Sequence, residues 1–237
     1  MRELLAPLRA VPRATLVAVL GGLTLCTIYL YPGHAAFYLR HLAPAGAAAD
    51  PVGPWRAQGW QFGAAFVLLF AAPVLWVRLR GRPLATIGLA VGDWRFGLKA
   101  VAVAAVVLAG PLYLNAGAAD FQAEYPLVKL ATRSLALFVA WELCYLVYYI
   151  AWETFFRGFW QLGLAGGLGA FGALALQTAT STVMHIGKPP GETFGAIVAG
   201  VGFGLLALRT RSILYVLLLH WTIGMLTDLF CALRARG

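Results

Sequence analysis

Residues 134–158, SLALFVAWELCYLVYYIAWETFFRG, decide the fold. The run is apolar apart from Glu142 and, at its end, Glu153 and Arg157. A helix of roughly 20 such residues crosses the ~30 Å hydrocarbon core of a bilayer. An ionised group at that depth costs at least about 2.5 to 3.5 kcal/mol, so it is kept for function or paired. Glu153 and Arg157 are one helical turn apart with the acid first, the favourable order for an ion pair. On this stretch alone, a self-neutralising pair that braces a bundle is as good a reading as a functional site.

The rest of the chain has the same character. With 61% hydrophobic and 11% charged residues, it falls far below the roughly 25% charge of soluble domains. The expected fold is all-α, a polytopic transmembrane helical bundle of about seven spans, forming a single integral membrane domain over residues 1–237. Spans are expected near 14–31, 59–77, 97–115, 134–156, 163–184, 192–208 and 213–233. The run 14–31 is long enough to span, and the small residues Ala47 to Ala49 lie too far beyond it for a usual cleavage site, so a retained first helix is expected. Cys26, Cys144 and Cys231 lie in apolar runs without metal or disulfide spacing and read as packing residues.

A net charge of +9 could suggest nucleic acid, but the arginines fall in the connections between spans, so no nucleic acid is expected and the charge reads as topology. An inside N-terminus places eleven basic residues on the cytoplasmic side: Arg2, Arg9, Arg13, Arg78, Arg80, Arg82, Arg95, Lys99, Arg157, Arg209 and Arg211. Seven fall on the other side, where Arg234 and Arg236 argue weakly against this orientation.

Several polar residues stand out against this apolar background. Glu142 precedes Glu153 by three helical turns and shares its face, with Tyr145 and Tyr149 between them on nearly the same stripe; such a seam faces a bundle interior or a water-filled cavity. Glu142 reads more readily as a brace for Glu153 or Arg157 than as a catalytic group. His185 closes the fifth span before Gly187, Lys188, Pro189, Pro190 and Glu192, which end the helix and re-aim the chain. By itself it would be an interfacial histidine. His220 lies inside the seventh span, with Thr227 and Asp228 roughly on its face, and Asp228 could fix a histidine tautomer or be an interfacial acid. Hydrolysis needs a base for water, a donor for the oxyanion and a dry cavity, and these residues supply such parts. Two histidines and a carboxylate could also ligate a metal, although HExxH spacing is absent.

These residues, taken in order, resemble the CPBP family of intramembrane proteases, which includes CAAX prenyl protease type 2 and bacteriocin-processing proteins. The resemblance runs over 134–228, expected as a catalytic core. Glu153 matches the second glutamate of the Glu-Glu-x-x-x-Arg motif and Arg157 its arginine, while His185 and His220 match the histidines of the second and third motifs. Trp152 stands at the first glutamate, usually assigned as the base, Ser181 at a frequent Phe, and Gly224 at the asparagine.

The resemblance implies an intramembrane endopeptidase acting on a membrane-anchored or lipidated protein, with membrane lipids and that peptide substrate as partners. Trimming of a C-terminal anchor would be one such reaction. In this reading Glu153 is the base, His185 positions water, His220 supports the oxyanion, and Arg157 completes the set. Glu142, Glu192, Asp228 and Lys188 stand behind them. No cofactor is required by the pattern, but His185 and His220 are candidate ligands for a divalent metal such as zinc. The bacterial plasma membrane is the expected location. Two rivals remain: an inactive family member serving as a scaffold or immunity protein, motivated by Trp152 and Gly224, and a transporter or proton relay.

Overall fold

The computed structural model describes residues 11–235, so Arg2, Arg9 and Arg236 of the charge count lie outside the described residues. Seven long helices carry the architecture. They are α1 (Arg13–Leu30), α2 (Gly53–Leu79), α3 (Trp94–Asn115), α4 (Leu135–Glu153), α5 (Gly163–Val183), α6 (Pro190–Thr210) and α7 (Leu214–Arg234). A π-helical stretch, Thr154–Leu162, joins α4 to α5, and another, Phe66–Ala71, lies within α2. The chain is an all-α polytopic bundle. By length and composition the described residues hold six candidate spans, of which Leu135–Val183 is 49 residues long.

That longest segment holds two passages. At 1.5 Å per residue it would extend more than twice the bilayer core if straight, and it breaks at Gly169, whose φ of 72° and ψ of 159° are not helical. This backbone region is open essentially to glycine alone. Across the break the chain returns along itself: Gln161 donates to the Gly204 carbonyl at 2.7 Å, and Gln177 donates to that of Gly200 at 2.8 Å. A Cβ at Gly204 would strike Leu174, Gln161 and Gln177, so α6 lies backbone-close against both arms. The fourth passage therefore runs on past residue 156, and the turn comes at Gly169 rather than between 157 and 162. Helical continuity through the π-helical stretch keeps the intervening backbone hydrogen bonds made, which the sequence pattern of large aromatics did not reveal.

The ends of the helices form two rims. On one, Asp93 pairs with Arg209 at 2.9 Å, the Ser212 hydroxyl donates to the Ala90 carbonyl, and Thr15 sits against Gly167 near the Gly169 turn. Ala14, Arg80 and Arg82 line one crevice there. On the other, Lys188 pairs with Glu124 at 2.6 Å, and the Trp60 indole donates to the Pro32 carbonyl. The loops thus alternate as the span order requires. Large apolar side chains face outward along the helices, with Phe171 82% exposed and Val106 78%, as a lipid-facing surface demands. Arg157, by contrast, is only 2% exposed. It belongs to the interior, which removes it from the eleven basic residues expected on the cytoplasmic side and leaves ten.

Candidate active site

The π-helical stretch is where the interior becomes polar. Every residue from Thr154 to Leu162 is buried, and its wider turn, of a kind frequent at functional sites, is framed by Trp152, Phe155, Phe156 and Trp160. Glu153, at its start, is fully buried. Its Oε1 accepts from the Arg157 guanidinium at 3.2 Å and from His220 Nδ1 at 2.5 Å. A carboxylate only accepts, so Nδ1 carries a proton and Nε2 is the nitrogen left over. The His220 ring lies between Tyr149 and Phe203, with centroids at 4.6 and 5.3 Å, and the Arg157 guanidinium sits 5.3 Å from the centroid of the same Phe203 ring. Three elements, α4, α6 and α7, therefore fix one imidazole.

His185 is held in the same way from another direction. Its Nδ1–H donates to the Ser181 carbonyl at 2.6 Å, one turn back on α5. The Trp152 ring meets it edge-on at 5.5 Å. The Thr193 hydroxyl donates to the His185 carbonyl at 2.8 Å, folding the first turn of α6 back over the Gly187–Pro190 corner. Burial pushes the His185 imidazole down to about 4, so at neutral pH its Nε2 presents a lone pair.

Both rings line one cavity of about 810 Å³, together with Trp152, Tyr149, Lys188 and Glu192. Its remaining wall is mostly apolar, drawn from α3, α6 and α7, and it reaches Arg209 at the opposite rim. Glu153 and Arg157 are not on this wall. Glu192 is, and its Oε2 accepts from the Tyr125 hydroxyl at 2.6 Å.

The sequence-derived residues thus divide. Glu153, Arg157 and His220 form one bonded group, and His185, Lys188 and Glu192 share the cavity with His220. Lys188 pairs with Glu124. Glu142 and Asp228 lie beside each other away from the cavity wall. The Trp141 indole donates to Asp228 at 2.7 Å, and the Trp221 indole donates to the Glu142 carbonyl. Glu142 braces neither Glu153 nor Arg157, and the Nδ1 proton of His220 is held by Glu153 instead of Asp228. Tyr125 and Phe203 had no signal in the sequence, because one sits in a polar connection and the other in an apolar helix.

As for a metal, the donors on the wall offer two imidazoles. Among the described residues no group of three or more His, Cys, Asp or Glu is placed to hold an ion, whereas catalytic zinc takes three protein ligands. The residues present therefore do not complete such a site.

Residues 133–226 match the family model described as Type II CAAX prenyl endopeptidase Rce1-like. The match covers the segment that supplies the buried group, both histidines and part of the cavity wall, and it agrees with the CPBP resemblance. No curated protein and no solved structure matches the chain.

Proposed function

Taking the Rce1-like segment as premise, we propose that this chain is an intramembrane endopeptidase that hydrolyses a peptide bond in a membrane-anchored or lipidated protein. The observation that carries the reading is the pair of imidazoles on one apolar cavity, each with Nδ1 spent on a fixed acceptor and Nε2 left for a reactant. His185, neutral at physiological pH, accepts a hydrogen bond from the attacking water at Nε2 and so orients the water's lone pair. In its imidazolium form His220, with Nδ1–H held by Glu153, donates from Nε2 to the carbonyl oxygen as negative charge gathers there. Such preorganised donors in a dry site supply much of the barrier lowering in acyl transfer. Glu153 opposes the charge on the ring and Arg157 holds Glu153, so both are positioning residues. No step passes through a metal.

The proposed substrate is a chain tethered in the bilayer, whose apolar anchor enters beside α3 and α6. The bacterial plasma membrane with a cytoplasmic N-terminus remains our proposal for its location. The test is cleavage by the purified full chain in proteoliposomes of a fluorogenic peptide that ends in a farnesylated cysteine and three further residues. A broad peptide library serves as a second substrate. Product from wild type that is lost in His185→Ala and His220→Ala, at matched folded protein, supports the reading. Absence of product from wild type on both substrates sinks it.

A second reading is favoured by Trp152 and Gly224, which replace the motif glutamate and asparagine. Trp152 occupies the cavity wall, and a Cβ at Gly224 would collide with the Tyr149 hydroxyl. In this reading the chain is a non-cleaving scaffold or immunity protein that retains the bonded group for stability. It predicts that His220→Ala lowers cellular function only in proportion to protein lost.

A further inference from the structure

Glu153 is not placed to take a proton from a water in the cavity. Its Oε1 is shared by His220 and Arg157, while its Oε2 is buried without a partner and has no place on the cavity wall. The adjacent position that does reach the wall is Trp152, an indole without a basic atom. With His185 in the role of holding the water by a hydrogen bond, the reading leaves the proton itself to another group on the wall. Among the described residues that line the cavity, Glu192 is the one acidic side chain.

We infer that Glu192 is the general base of this site. The inference rests on the endopeptidase reading and completes it. Three features place Glu192 for the task. The Thr193–His185 bond fixes its helical turn against the histidine that would hold the water. The Tyr125 hydroxyl takes Oε2 and orients the carboxylate, leaving Oε1 free. Finally, Glu192 shares the wall of one cavity with both His185 and His220. Lys188, on the same corner, is already paired with Glu124.

The step balances without any further reactant. Glu192 Oε1 accepts one proton from water as the oxygen bonds to the scissile carbonyl carbon, whose oxygen becomes the oxyanion held by His220. The carbon–nitrogen bond then breaks, and the proton on Glu192 passes to the departing nitrogen. The products are a carboxylic acid and an amine, and Glu192 returns ionised.

The experiment uses the full chain in proteoliposomes with the farnesylated peptide and compares wild type, Glu192→Gln, Glu192→Ala and Tyr125→Phe. General base catalysis contributes about 10²- to 10⁴-fold, so Glu192→Gln is expected to lower kcat by about 10²-fold or more with little change in KM. Added formate restores turnover to Glu192→Ala, in which the space for a small carboxylate is open, and leaves Glu192→Gln unrestored. Tyr125→Phe keeps turnover at a reduced level. Wild-type cleavage with Glu192→Gln within threefold of it overturns the inference while leaving the endopeptidase standing. Folded Glu192→Ala that formate does not rescue overturns it too. Wild type inactive on the peptide and on the library overturns the reading beneath it.

Discussion

Arg157 carries a guanidinium into the bundle interior, where Glu153 is its ion-pair partner and the Phe203 ring lies 5.3 Å away. Breaking a buried pair by removing one partner leaves a bare charge and costs about 3–5 kcal/mol. Arg157→Leu should therefore destabilise the fold by about that amount, read as a lower thermal midpoint in detergent. Replacing both partners by apolar residues of similar volume should cost much less. His185 gives a second residue-scale expectation, with its sign fixed by linkage. Its folded value near 4 lies below the ordinary 6.5, so the unfolded chain binds more protons between them. The contribution to stability is present above about 6.5 and is lost as pH falls toward about 4. Thermal unfolding followed from neutrality down through that window should show the slope in wild type and lose it in His185→Gln. An unchanged slope in the variant would assign the acid sensitivity elsewhere. The pairing of Glu153 with Arg157 was legible in the sequence from their one-turn spacing. That Glu153 would lie off the cavity wall, behind His220, and Glu192 on it, was not, because facing depends on how α4 and α6 rotate about their axes in the packed bundle.

At the scale of the element, the decisive feature is the turn at Gly169. Seven apolar stretches could be read from hydropathy, and their order agrees with the helices found. The boundary between the fourth and fifth could not, because the segment from Gly163 to Gly172 contains several glycines and any of them could break a helix. Gly169 does so because it alone within α5 takes a non-helical φ and ψ. A Cβ there would meet open space, so a Gly169→Ala substitution isolates the backbone cost. That region is strained by about 1–3 kcal/mol for a residue with a side chain. A loss of stability of that size is expected, against little change for Gly166→Ala, whose Cβ would also meet open space. Equal effects of the two would show that the turn does not require Gly169.

At the scale of the whole molecule, the cavity joins the two rims along α6, from Glu192 and Lys188 to Arg209. Gly202 lies on its wall, and a Cβ there has no neighbour within 4 Å. Gly202→Leu should therefore fill the space without disturbing the bundle. We expect it to raise KM for an anchored substrate while the thermal midpoint stays near that of wild type; a loss of stability in place of the KM effect would show that the position is part of the packing. Composition made the membrane bundle legible at this scale, whereas the cavity is lined from α2, α3, α4, α6 and α7 together, an arrangement that no local pattern encodes.

The two rims also carry a consequence for timing. His185 closes its helix beside the rim of Lys188 and Glu124, opposite the one that gathers Arg80, Arg82 and Arg209. Under the proposed orientation, with the arginine-rich rim in the cytoplasm, a scissile bond reaching His185 from the nearer rim would belong to a segment that has already crossed the membrane. Such a cut would come after export and would govern how long an exported protein stays tethered, not whether it is delivered.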